Sequence, residues 1–267
     1  MNANQARTNR RLARNLALLA LLAPLAAFIA SARDSSRVAP PASVKEISEP
    51  FRAGETLNYR VSWAAFSTAA SLQLSVPERR DLFGWRTWHF RAIARTLSPV
   101  SSLFPVDDQF DSYTDAVTSE TRQYEMHQNE LGKVSDQVVR FAAPGEKALA
   151  PGPSVVVLAG TRDPVGAIYA LRGVDWQRTP EFRAPVYDGH DLYEMRAQRD
   201  SAAETVKTAS GTFTATRISI RVFQREKEVS AIHFVGWIAN DAPRTPVVIQ
   251  ATLPFGALRA ELIPARP

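Results

Sequence analysis

The stretch FPVDDQFDSYTD places Asp107, Asp108, Asp111 and Asp115 within nine residues. Carboxylates at that density could coordinate Ca²⁺ or share general acid and base work. Their spacing does not follow an EF-hand loop, and no glycine supplies the sharp turn that loop needs. The plainer reading is a strand that carries solvated acids. The four histidines, His89, His127, His190 and His233, stand at neither H-x3-H nor HExxH spacing, so they make no zinc pattern. His190 follows Asp188-Gly189 and is expected at an exposed turn, whereas His89 and His233 fall in strand-like runs beside aromatic residues. There is no cysteine, no G-x-S-x-G elbow and no glycine loop that would cradle phosphate. An enzyme built from this chain would draw on acids such as Asp107, Asp108 and Asp241. No catalytic residue, metal ligand or cofactor is assigned.

A second chemistry is apolar binding. Trp63, Trp85, Trp88, Trp176 and Trp237, with Tyr59, Tyr113, Tyr169 and Tyr193, alternate with small residues such as Ala69, Ala70, Ala92 and Ala94. In a curved sheet that mixture either fills a core or leaves an apolar pocket. If there is a pocket, Trp63, Trp88, Tyr169, Arg172 and Trp237 are the candidate ligand-binding residues. Arg172 closes a short helical pattern. It either meets that helix's C-terminal carbonyls or pairs with a ligand carboxylate or phosphate. Asn240-Asp241, in the run GWIANDAPRTPVV, reads as turn chemistry, because Asn and Asp bond locally to backbone and Pro243 fixes φ.

The elements that must position these residues are mostly strands. In TLNYRVSW, Leu57, Tyr59, Val61 and Trp63 share one face, and Asn58, Arg60 and Ser62 the other. The same period-two pattern runs through SLQLSV, WHFRAIART, TRQYEMHQ, KVSDQVVRFA, SGTFTATRISIRVF, VSAIHFVGWIA, TPVVIQATL and ALRAELI. Asp188-Gly189 predicts a two-residue hairpin turn. TRDPVGAIYALRGV breaks the pattern: Asp163 is a helix N-cap, Pro164 the first helical residue, and Gly173 lies just past the end. The sum is a mainly β domain over residues 50–267. It is expected as one strongly curved antiparallel sheet, or β-barrel-like domain, of about a dozen strands with one short helix. A two-sheet sandwich is the alternative. Charges such as Arg91, Arg95, Arg217 and Arg221 along the polar faces argue against a barrel that spans a membrane.

The first residues carry a different message. Arg7, Arg10, Arg11 and Arg14 precede an apolar run from Leu16 to Ala30, and Ala30-Ser31-Ala32 offers small residues in A-x-A order. This is the layout of a signal peptide over residues 1–32, with an uncleaved anchor as the alternative. Residues 33–49 read as a flexible linker. The net charge of +5 comes largely from those four leader arginines, so the domain shows no basic stripe for nucleic acid. The chain is expected to be exported to the periplasm or envelope, with no transmembrane span in the mature domain.

Three stretches, FRAGETLNYRVSW, DPVGAIYALR and WIANDAPRTPVVIQATLPFGALRAEL, with SGTFTATRI between the last two, together resemble the bacterial domain-of-unknown-function family numbered 3108. The resemblance covers most of residues 50–263. It implies an exported envelope protein, and brings no activity, cofactor or site residue with it. Three functions stay open. The first is a module that binds a lipid-like molecule, by fold-level analogy with curved-sheet lipoprotein carriers. The second is a structural module that docks on an envelope protein, and the third an enzyme on an envelope polymer.

Overall fold

A computed structural model describes residues 49–150, 155–254 and 256–265. The expected signal peptide, and the linker as far as residue 48, lie outside the described residues. Strands β1 (Glu55–Trp63), β2 (Phe66–Leu82), β3 (Trp85–Thr96), β4 (Asp107–Asp115), β5 (Thr121–Glu130) and β6 (Lys133–Arg140) form one meander. Helix α1 (Pro164–Gly173) follows. A second meander then runs through β7 (Glu181–Tyr187), β8 (Leu192–Thr208), β9 (Gly211–Gln224), β10 (Lys227–Ala239), β11 (Pro246–Leu253) and β12 (Gly256–Ile263). The two meanders join where β1 pairs with β12, giving a single 12-stranded antiparallel sheet with β6 and β7 at its edges. The curved-sheet expectation is met, and the sandwich is not what forms.

Tight turns hold the meander in register. Phe83-Gly84 and Leu131-Gly132 have positive φ at both residues, the backbone that a two-residue hairpin loop requires. Arg225-Glu226 adopts the same conformation without glycine. Asp188-Gly189, by contrast, belongs to a four-residue loop, since Tyr187 pairs with Leu192. Asp188 Oδ1 accepts from the amides of both His190 and Asp191 at 2.8 Å, so the aspartate builds its own wider turn. His190 is half-buried there instead of exposed. Pro77 is tolerated in β2 because the β2–β3 register shifts between Ser75 and Glu78.

The sheet curves around α1, and its edge strands do not pair with each other. The segment entering the helix stitches the gap. Thr121 N donates to Thr161 O at 3.1 Å, Arg162 N to Pro185 O at 3.0 Å, and Tyr187 N to Arg162 O at 2.8 Å. Inner-face residues such as Tyr59, Leu72, Leu74, Phe90, Phe110 and Tyr124 form the main core. A smaller cluster, including Ala167, Leu171, Trp176, Val186, Met195 and Ile218, packs α1 on the second meander. Burying these faces drives the curvature.

Candidate functional site

The helix is fixed on the first meander by polar contacts. Asp163 is fully buried, and its Oδ1 caps the amides of Val165 and Gly166 at 2.8 and 2.9 Å. Its Oδ2 accepts from Thr121 Oγ1 at 2.6 Å and from Ser112 Oγ. Burial pushes the Asp163 carboxyl above its ordinary range, and these hydrogen bonds oppose that shift. A Cβ on Gly166 would meet oxygens of Asp163, Thr114 and Ser112 at 3.1–3.2 Å. Only glycine lets the first turn sit this close to β4. One turn later Tyr169 stacks on Phe90, with ring centroids 3.8 Å apart and planes 4° from parallel.

The helix end is tied differently from the expectation for Arg172. Its guanidinium, 1% exposed, donates to both Glu55 carboxylate oxygens at 2.5 and 3.2 Å and to Pro243 O at 2.9 Å. Arg244 takes the capping role, donating to Gly173 O at 2.6 Å. Gly173 is the last helical residue and not a left-handed cap. Three distant segments thus meet at the Arg172 side chain: the start of β1, the helix, and the β10–β11 turn.

On its other side α1 does not fill the sheet. A partly enclosed cavity of about 100 Å³ lies between the helix and strands β8 to β11, with Ala92, Phe110, Tyr124 and Val186 also in its wall. Ile168 and Leu171 of the helix face Ile218, Ile220, Val222 and Phe234 across it, and Gly236 contributes bare backbone. The buried hydroxyl of Tyr124 has no hydrogen-bond partner among the described residues, and burial raises its pKa well above the ordinary phenol value. Such a space favours hydrocarbon, with two tyrosines, Tyr124 and Tyr193, in its wall.

The five expected ligand-binding residues are dispersed. Arg172 borders the cavity, but its donors are spent on Glu55 and the turn. Tyr169 and Trp88 pack in the main core around Phe51, at centroid distances of 5.2 Å each. Trp63 sits at the rim against Phe66 and Phe104. Trp237 alternates onto the outer face, where its indole donates to Glu204 at 2.9 Å. The aliphatic lining was readable only as the alternating face of RISIRV in β9, a pattern common to any core strand.

Of the four acids only Asp107, at the start of β4, is solvated; the strand lies inside the sheet between β3 and β5. Asp108, Asp111 and Asp115 are all buried. Asp111 accepts from His89 Nε2 at 2.5 Å, Arg91 Nε at 2.7 Å and Gln109 Nε2 at 2.7 Å. Burial alone would raise its pKa, but these donors outweigh it and hold the carboxyl low. Asp111, Glu125 and His127 bring ligand atoms within 4.8 Å of one another. The guanidinium already on Asp111 supplies the positive charge there. Asp108 points inward beside Glu130, and burial raises it to about 6. The three acids considered for catalysis are engaged separately: Asp107 with Arg95, Asp108 with Asn129 N, and Asp241 with Thr245. His233 is exposed on β10.

Fold and site define a class: an antiparallel β-barrel-like domain whose concave face is occupied by one helix and a small apolar cavity. The chain belongs to DUF3108, a family described as protein of unknown function, which matches residues 58–263. Among solved structures it is similar to a beta-barrel-like protein of domain of unknown function DUF1849 from Brucella abortus. Identity is 10%, with 78% of this chain and 94% of that chain covered, at a TM-score of 0.54. A putative exported protein with a YmcC-like fold from Bacteroides fragilis is 9% identical. It covers 84% of this chain and 100% of that chain at a TM-score of 0.32, too loose a superposition to argue from. No curated protein matches in sequence. No helix among the described residues is long and apolar enough to cross a membrane.

Proposed function

We propose that this domain is a non-catalytic binding module of the cell envelope that holds the apolar part of a lipid-like ligand between α1 and strands β8–β11. The observation that carries the reading is the cavity itself. Its lining is aliphatic and aromatic, and it remains open although the helix is fixed on the opposite side by Asp163, Gly166 and Tyr169. A dry void of roughly 150 Å³ in a protein core takes up a benzene-sized molecule. A space of about 100 Å³ therefore suits the end of a hydrocarbon chain and not a whole lipid. The leader expected over residues 1–32 agrees with an exported carrier or receptor.

The test is displacement of an environment-sensitive fluorescent fatty acid, together with native mass spectrometry of the purified full chain. Ile220→Trp would fill the cavity. It is expected to weaken probe binding by about tenfold or more, roughly 1.4 kcal/mol, while circular dichroism stays unchanged. Equal binding by the folded variant would remove the cavity as the site.

A second reading rests on edge strand β6, where Val134 and Val138 are exposed by 71% and 43% beside Leu131. Leu149 pairs with the end of this edge at Arg140, and the stretch before it, with its apolar side chains, can accept a partner's strand. An envelope protein captured by the native chain and lost on Val134→Lys would support this docking role.

A further inference from the structure

Ile238 lines the apolar cavity and also a second cavity at the C-terminal end of α1. This one holds about 160 Å³, and beside Val174, Trp176, Ile238 and Ala239 its wall carries six polar residues, Asp175, Gln177, Thr216, Asn240, Asp241 and Arg244. Three of the six, Asn240, Asp241 and Arg244, come from the IANDAPR turn.

The polar groups are held in place before any ligand arrives. Gln177 Nε2 donates to Thr216 Oγ1 at 3.0 Å and to Asn240 Oδ1 at 3.3 Å. Asn240 Nδ2 donates to Ala202 O at 3.0 Å. Asp241 accepts from Thr245 N and Oγ1, each at 3.1 Å. Arg244, left-handed at φ 46°, keeps its guanidinium on Gly173 O. Groups fixed by such partners lose little freedom on binding.

The charge balance limits what can sit there. Two carboxylates, Asp175 and Asp241, and the negative end of the helix dipole face one guanidinium, which is already on a helix carbonyl. An anionic group is disfavoured. The Gln177 amide hydrogens and the Thr216 hydroxyl are engaged within the wall, so Gln177 Oε1 and the carboxylates of Asp175 and Asp241 are what face a ligand, an acceptor-rich set that the O–H donors of a polyhydroxylated head would satisfy.

Resting on the apolar-binding reading above, we propose that this groove is the head-group subsite of the same ligand. The ligand is then an amphiphile with an uncharged, polyhydroxylated head, of glycosyl type. Its tail enters the apolar cavity past Ile238, and its head lies on Gln177, Asn240 and Asp241.

The test uses the full chain and four amphiphiles of equal alkyl length, below their micelle concentrations: an alkyl glucoside, an alkyl sulfate, an alkyltrimethylammonium and the plain alkanol. Calorimetry is expected to show the glucoside bound about tenfold or more tighter than each of the others, the worth of one or two hydrogen bonds. Gln177→Leu, at an exposed residue, should bring the glucoside down to the alkanol's affinity and leave the alkanol unchanged. Equal binding of all four, or a preference for either charged head, overturns the inference and leaves the apolar site standing. No binding of any of them overturns both. The head-group series on the unaltered protein decides the matter even if the variant misfolds.

Discussion

Helix α1 meets the sheet on two sides that are built differently. Toward β3 and β4 it is fixed by a buried carboxylate, a glycine in close contact and a stacked tyrosine. Toward β8–β11 it faces aliphatic side chains across open space. Directional polar contacts hold a single geometry, because a buried donor left unpaired is costly. Apolar walls around a void are tolerant, since dispersion contacts are individually weak and non-directional. The fixed side locates the helix, and the tolerant side can accept another molecule without disturbing that location.

The strongest way to break the fixed side is Arg172→Ala. It would leave the Glu55 carboxylate, 14% exposed, without its guanidinium, and would free Pro243 O. Removing one partner of such a buried pair is expected to cost about 3–5 kcal/mol in urea unfolding. Arg172→Met combined with Glu55→Leu should recover most of the loss, because no charge remains to be buried. If the single variant matched wild type, the helix end would not depend on this pair.

Asp163→Ala comes next. It removes the N-cap and strands Ser112 Oγ, Thr121 Oγ1 and two amides. A cap contributes about 1–2 kcal/mol, and buried unpaired donors add a similar amount. A loss of about 3 kcal/mol is expected, with amide exchange accelerating first in α1.

Much of this side was legible in the sequence, but only locally. Asp163-Pro164 announces a helix start, and α1 begins there. Nothing in the pattern shows that Asp163 takes its other donors from Ser112 and Thr121, 51 and 42 residues away. Nor does it show that Arg172 pairs with Glu55, 117 residues earlier. Period-two alternation identifies which faces are buried, so the curved sheet could be read. It cannot distinguish a filled core from a cavity, because a void is the difference between enclosed space and side-chain volume. The β4 acids misled for a related reason. Asp107 stays exposed, but Asp108 faces inward and Asp111 and Asp115 lie under His89, Arg91 and Arg122 of the neighbouring strands, and composition carries no sign of those neighbours.

Asp108 shows that a buried carboxylate on β4 is not always stabilising. Burial raises its pKa from 3.8 to about 6. Between those values the folded chain binds more protons than the unfolded one, so stability falls as pH rises from about 4 to 6 and stays lower above that range. Asp108→Asn is expected to remove this slope and to gain about 2–3 kcal/mol at pH 7, by the free energy of a shift of that size. Urea midpoints at pH 4 and pH 7 measure it. An unchanged slope would mean that another group titrates in this window.

The smallest effect tests the comparison most directly, by making one substitution on each side. Val76 is fully buried in the main core, and Val222 is nearly so but borders the cavity. Val→Ala removes the same two methyl groups from water-excluded surroundings at both sites, worth about 0.8 kcal/mol each by transfer. At Val76 a new void opens among packed atoms and adds its own cost. At Val222 part of the surrounding space is already empty, so fewer contacts remain to be lost. Val76→Ala should therefore destabilise by about 1 kcal/mol more than Val222→Ala in parallel urea titrations. Addition of the alkyl glucoside should narrow the gap, because bound hydrocarbon would give Val222 the neighbours that Val76 already has. Equal costs without ligand would show that the second side is packed as tightly as the first, and the functional distinction between them would go with it.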